Sequence, residues 1–153
     1  MSMKRRVFLK GSLAAGALAG VGLLMPQAVL AAWPKAAFDA TSVDDALKGT
    51  YGMAGATDSS DINIKAPDIA ENGAVVPVTV ESSIAGAESI TIMSAANNNP
   101  MAASFNLGKG TAAYVATRVK MAKTSDIVAV VKAGGKLYKA AKNVKVTIGG
   151  CGG

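Results

Sequence analysis

The sequence predicts an all-β domain, an antiparallel sandwich, on three observations. Short segments of alternating apolar and polar residues recur from Ile62 to Ile148. Turn signals interrupt them about every ten residues, the spacing of a sandwich, with a small barrel as the alternative. Only one stretch, Phe38 to Leu47, has helical spacing of its apolar residues.

That stretch places Phe38, Val43, Ala46 and Leu47 on one face, with Thr41 or Ser42 as cap and Asp44 and Asp45 in the first turn. It predicts one short amphipathic helix before the strands, with irregular chain at Trp33, Pro34 and from Gly49 to Gly55. Strand pattern begins at Ile62, where Ile62 and Ile64 alternate with Asn63 and Lys65. Val76, Val78 and Val80 share the next inner face, and Pro77 between them points to an edge or a bulge because it has no N–H to donate. Ile90 and Ile92 mark a strand over Ser89 to Ser94, and Asn97-Asn98-Asn99-Pro100 ends it in a turn. Ala102 to Leu107 follows. From Tyr114 to Met121, Val115, Thr117, Val119 and Met121 alternate with Tyr114, Ala116, Arg118 and Lys120. Ile127 to Val131 is a continuous apolar run. Gly134-Gly135 turns the chain into Lys136 to Ala140, a hairpin, and Val144, Val146 and Ile148 form the final strand. Seven or eight strands of this kind predict an immunoglobulin-like sandwich. A single cysteine leaves no disulfide within it.

Both ends of the chain differ from this domain. Lys4-Arg5-Arg6-Val7-Phe8-Leu9-Lys10 precedes a weakly apolar stretch from Gly11 to Met25, then Pro26 and the small-residue run Val29-Leu30-Ala31. Basic, apolar and small-residue regions in that order predict an export leader over residues 1–31, and the arginine pair indicates the twin-arginine route to the periplasm. The apolar stretch has about 15 residues against roughly 20 for a membrane span, so a retained anchor is disfavoured and no membrane association is expected after cleavage. Residues 32–148 form the expected domain. Residues 149–153, Gly149-Gly150-Cys151-Gly152-Gly153, hold the only cysteine between two glycine pairs. Such a segment predicts a flexible arm carrying an exposed thiol, since glycine constrains the backbone least. With pairing to Ile148, the thiol reaches roughly 10 Å beyond the sheet.

The composition excludes several functions. The chain has no histidine, so Ser-His and Cys-His catalysis is absent and zinc or haem ligation within one chain is not expected. No glycine-rich phosphate loop occurs, and no cofactor is predicted. The net charge of +6 owes four of sixteen basic residues to the leader, leaving twelve against ten acidic ones and no case for nucleic-acid binding. Positive charge is concentrated late: seven lysines against Asp126 alone from Lys120 to Lys145. They serve either to attract anions and acidic partners or to solvate strand edges. Arg118 and Lys120 are candidates for contact with an anion or a partner, weighed against plain solvated strand positions. Asn72-Gly73 is read as a turn rather than a docking site.

Three segments carry a family resemblance. Ala66-Pro67-Asp68-Ile69-Ala70-Glu71-Asn72-Gly73-Ala74-Val75-Val76-Pro77-Val78, Thr117-Arg118-Val119-Lys120-Met121-Ala122 and Val146-Thr147-Ile148-Gly149-Gly150-Cys151-Gly152-Gly153 resemble the SoxY proteins of the thiosulfate-oxidising (Sox) system. The twin-arginine start is similar too. The resemblance implies a carrier rather than an enzyme. Cys151 would take up thiosulfate oxidatively as a thiosulfonate, delivered by the c-type cytochrome SoxAX. The hydrolase SoxB would release sulfate, and a sulfane dehydrogenase would oxidise the remaining sulfur. It also implies a heterodimer with SoxZ, an immunoglobulin-like chain without a leader, which suits export of a folded pair, and two such heterodimers could be linked through Cys151. Gly149, Gly150, Gly152 and Gly153 would supply the arm's flexibility. Two other readings of the tail stand beside this one: a periplasmic structural domain that dimerises through Cys151, and a ubiquitin-like carrier with sulfur on the Gly153 carboxyl group.

Overall fold

The computed structural model describes residues 34–147. The predicted export leader and the Gly149–Gly153 arm lie outside the described residues, as does Ile148. Among the described residues two helices, α1 (Lys35–Phe38) and α2 (Val43–Tyr51), precede the strands. Where one helix from Phe38 to Leu47 is expected, Ser42 divides the stretch. Its Oγ accepts the Asp45 N–H at 3.1 Å and starts α2, with Asp44 and Asp45 in the first turn as expected. The helix then runs on through Gly49 to Tyr51, correcting the irregular chain expected there, and stops at Gly52 in the left-handed conformation. Gly49 lets the helices touch. A Cβ on it would lie 2.6 Å from the Ala37 nitrogen and 2.7 Å from its Cα, so no larger residue fits without moving α1.

Nine strands follow among the described residues: β1 (Thr57–Asp58), β2 (Ile62–Lys65), β3 (Ile69–Ala70), β4 (Val76–Ser82), β5 (Ala87–Ser94), β6 (Met101–Asn106), β7 (Tyr114–Val119), β8 (Ser125–Ala133) and β9 (Lys136–Val146). They form the expected sandwich. One sheet has the order β1-β9-β8-β5-β6, with β3 also on β9; the other is β2-β4-β7. All long pairings are antiparallel. The two-residue strands β1 and β3 lie parallel to β9, which the alternation gave no sign of.

Burial explains the patterns. Ile62, Ile64, Val76, Val78, Val80, Val115 and Val119 from the small sheet meet Ile90, Ile92, Ile127, Ala129 and Val131 from the large one. At about 25 cal/mol per Å² of apolar surface removed from water, this core is the main stabilising term. The run Ile127 to Val131 is continuous because β8 is buried on both faces. Val128 and Val130 turn outward into a second core with Met93, Met101 and Leu137, under Ala37, Ala46 and Leu47 of the helices. Pro77 behaves as expected locally. It pairs with Arg118 on β7, while β2 reaches β4 only as far as Thr79, so β4 has one neighbour there.

The last two predicted strands are one. Lys136–Val146 pairs with β8 from Ala133↔Lys136 to Ser125↔Val144 without a break. The hairpin loop is Gly134-Gly135, with φ of 55° and 73°, the tight turn whose twist matches the strands and which side chains resist. Asn97 to Asn99 turn as expected, with Asn97 N–H donating to the Ser94 carbonyl at 3.2 Å.

Candidate functional site

The cysteine and its four glycines lie outside the described residues, and the structure shows what they are mounted on. Val144 is fully buried and is the last residue of β9 opposite β8. Beyond it, β9 is held differently. On one side, β3 supplies backbone partners: Lys145 N–H donates to the Asp68 carbonyl at 3.0 Å and Thr147 N–H to the Ala70 carbonyl at 3.2 Å. On the other side a side chain replaces a strand. The Thr124 Oγ1 accepts the Val146 N–H at 2.9 Å and donates to the Val146 carbonyl at 3.4 Å. Cys151 is the fourth residue after Thr147, a maximum reach of about 13–14 Å. The anchor expected at Ile148 lies outside the described residues.

Neighbouring loops brace this end. The Asn72-Gly73 segment is a turn, as read: Asn72 Oδ1 accepts the Ala74 N–H at 2.9 Å, and its carbonyl accepts Val75 N–H at 3.4 Å. Gly73 is tied across to the end of β7, its carbonyl accepting the Met121 N–H at 2.7 Å. Asn97 grips the same chain end. Its Nδ2 donates to the Lys120 carbonyl at 2.7 Å and its Oδ1 accepts the Ala122 N–H at 2.9 Å. The sequence marked Asn97 only as a turn residue; nothing in its spacing signalled a cross-sandwich tie.

Arg118 lies on the outer face of the small sheet, exposed, and Lys120 is exposed just past the end of β7. Among the described residues neither forms an ion pair. Charge on the lysine-rich third is partly spent elsewhere. Lys132 meets Glu88 at 3.0 Å, Lys139 meets Asp58 at 3.9 Å and Lys142 meets Asp68 at 3.1 Å. The lysine beside Glu88, by hydrogen bond and charge, holds that carboxyl below its ordinary value of 4.5. Lys120, Lys123 and Lys145 are exposed around the end of β9 and form no ion pair among the described residues. The arrangement leaves positive charge where the chain leaves the sheet.

A groove of about 760 Å³ opens between residues 82–88 and 107–113. It is at the wrong end to serve the thiol. Its Ala87 pairs with Ala133 at the end of β8, whereas β9 finishes beside Ser125 at the start of β8. Eight strand steps of about 3.4 Å put roughly 27 Å between them, about twice the reach of the thiol. Among the described residues no three His, Cys, Asp or Glu side chains gather to hold a metal ion. No helix among them is long and apolar enough to cross a membrane. This domain therefore offers a mount, a short reach and local positive charge.

Comparison with known proteins agrees with this architecture. A family model described as "Sulfur oxidation protein SoxY" matches residues 47–151, from the last buried leucine of α2 to the cysteine. The structure of the sulfur carrier protein SoxY from Chlorobium limicola f thiosulfatophilum shares 51% identity with a TM-score of 0.64, over 70% of this chain and 97% of that one. A superoxide reductase (neelaredoxin) from Ignicoccus hospitalis shares 18% identity with a TM-score of 0.49, over 56% of this chain and 79% of that one. Comparison with curated proteins returns no match. A match that covers both layers of the sandwich and ends on the lone cysteine identifies the lineage: the chain belongs to the SoxY family of sulfur oxidation proteins.

Proposed function

We propose that this protein is a periplasmic sulfur carrier, exported folded by the twin-arginine route, that holds intermediates of thiosulfate oxidation covalently on Cys151. The observation that carries the reading is the family match running through to Cys151, beside a sulfur carrier 51% identical. The chemistry follows from the thiol. Cys151 loses a proton and joins the outer sulfur of thiosulfate, giving Cys–S–S–SO₃⁻ and two electrons, which leave to the c-type cytochrome SoxAX. Water then attacks the sulfonate sulfur under SoxB, releasing sulfate and leaving a persulfide on Cys151. A sulfane dehydrogenase takes the remaining sulfur onward.

The domain's own part is presentation. An ordinary thiol ionises near pH 8.5, and no histidine exists to act as a local base, so activation falls to the partner enzyme. Gly149, Gly150, Gly152 and Gly153 let a narrow segment enter a cleft without side-chain clashes. Ordering it costs about 1–2 kcal/mol per residue, which favours brief docking and release. Arg118 and Lys120, with the exposed lysines at the end of β9, attract the anionic cargo or an acidic partner surface. SoxZ completes the working heterodimer.

The test is the intact mass of the protein purified from thiosulfate-grown cells, beside Cys151→Ser. The expected result is a reductant-sensitive mass increase, mapped to the C-terminal peptide and absent from the variant. An unmodified Cys151 throughout turnover overturns the reading. Sulfur retained by Cys151→Ser would transfer the role to the terminal carboxyl group.

A further inference from the structure

We infer that Thr124 is a positioning residue that sets the working length of the carrier arm, by standing in for a missing strand beside Val146. This rests on the carrier reading for its consequence, while the clamp itself stands on geometry.

Backbone pairing with β8 ends at Val144. From there to Thr147 the chain has β3 on one side only, and β3 is two residues long. On the open side the Thr124 hydroxyl takes both roles of a backbone neighbour at one residue: it accepts from the Val146 N–H at 2.9 Å and donates to its carbonyl at 3.4 Å. A hydroxyl can do both because it carries one donor hydrogen and two acceptor lone pairs. Thr124 is itself well placed to hold. It directly precedes β8, and Asn97 fastens Ala122 two residues earlier. Val146 and Thr147 are thereby part of the mount rather than of the arm.

The difference matters for reach. Counted from Thr147, the last described residue, the thiol is four residues on, about 13–14 Å at most. Without the hydroxyl, Val146 and Thr147 hang on the two-residue β3 alone; each time that contact opens, Lys145 becomes the last held residue and the thiol is six residues out, about 20–22 Å. A longer tether dilutes the thiol around a docked enzyme, roughly as the 3/2 power of its length, and the freed residues must be ordered again at each docking. The dilution alone is about twofold for four residues becoming six.

The experiment uses the full chain in its wild-type, Thr124→Val and Thr124→Ser forms. Thr124→Val keeps the shape and removes the hydroxyl; Thr124→Ser keeps the hydroxyl. Amide hydrogen exchange reads the clamp directly. In Thr124→Val the Val146 amide loses protection by about five- to tenfold, as for one lost hydrogen bond, with the Val130 amide in the middle of β8 unchanged. Steady-state turnover by the hydrolase that cleaves the arm-bound sulfonate reads the consequence. KM rises about two- to fivefold, kcat stays the same, and Thr124→Ser restores both measures. Unchanged Val146 protection in Thr124→Val overturns the clamp. Lost protection with an unchanged KM overturns its role in setting arm length. Failure of the carrier reading looks different: wild-type Cys151 takes up no sulfur, while the exchange result is unaffected.

Discussion

The helices are fastened to the sheet by a polar seam whose weight can be measured. The Tyr51 hydroxyl lies 2.9 Å from Ser89 Oγ and 2.7 Å from Thr91 Oγ1, and Thr91 Oγ1 lies 2.9 Å from Ser104 Oγ. Ser89 and Thr91 are 3% and 0% exposed, on the face of β5 that turns toward α2. Tyr51→Phe removes one oxygen and leaves two consequences. Thr91 keeps Ser104. Ser89 loses its side-chain partner in a place water does not reach, at a cost of about 1–3 kcal/mol. With the net loss of the bond to Thr91, the expected destabilisation is about 2 kcal/mol. Urea denaturation followed by far-UV circular dichroism measures it, with the slope unchanged and the midpoint lowered. The double variant Tyr51→Phe/Ser89→Ala is the control. Removing the orphaned hydroxyl returns about 1 kcal/mol, because an apolar pair of similar shape does not have to be satisfied. A double variant less stable than Tyr51→Phe alone would refute the orphaned-hydroxyl argument. A single variant within about 0.5 kcal/mol of wild type would show that the seam does not hold the helix.

Two further outcomes follow from the geometry. Gly49→Ala ordinarily favours a helix by about 1 kcal/mol, but here the added Cβ meets the Ala37 backbone at 2.6–2.7 Å. Overpacking costs of about 1–3 kcal/mol offset or exceed that gain, so the variant is no more stable than wild type, measured by the same denaturation. Glu88 titrates below 4.5 because Lys132 donates to it and lies close in charge. Its depressed folded value means that its stabilising contribution is present above the unfolded value and fades as pH falls through the folded one. A carbon-detected NMR titration of Glu88 moves upward toward the ordinary carboxylate range in Lys132→Met; an unmoved midpoint refutes the assignment.

How much was legible in the sequence depended on what each residue faces. Ile62, Ile64, Val76, Val78 and Val80 alternate because one sheet face is buried and the other wet, and period-two patterning reports that directly. Ser42 was legible as one of two candidate caps, beside Thr41, because the acidic residues that follow repeat the preference of a helix start. Ala141 to Asn143 was not legible as strand. Its residues are lysine, alanine and asparagine, and what holds them is register with β8, whose own pattern is fully apolar. The two-residue strands β1 and β3 are too short for any period. The thiol tail stood out by composition alone. The clamp at its root did not, because Thr124 opens a Thr-Ser-Asp stretch that reads as ordinary turn chemistry.

The order in which β9 is held explains how one strand can be both rigid and useful at its end. Its first nine residues, Lys136 to Val144, lie against β8, which is buried on both faces. The next three residues have a two-residue strand on one side and a single hydroxyl on the other. After them come six residues, four of them glycine. Support from neighbouring chain therefore falls in steps along the described part of this strand. Substitutions at Leu137, Tyr138, Ala140 or Val144 act on the stability of the whole domain, because these residues pack in or against its two cores. Substitutions at Thr124 act locally, because the groups they free are at the surface and only Val146 depends on them. The stability of the domain and the hold on the end of β9 can thus be altered separately along a single strand, and the boundary between them lies at Val144, the last residue that β8 pairs.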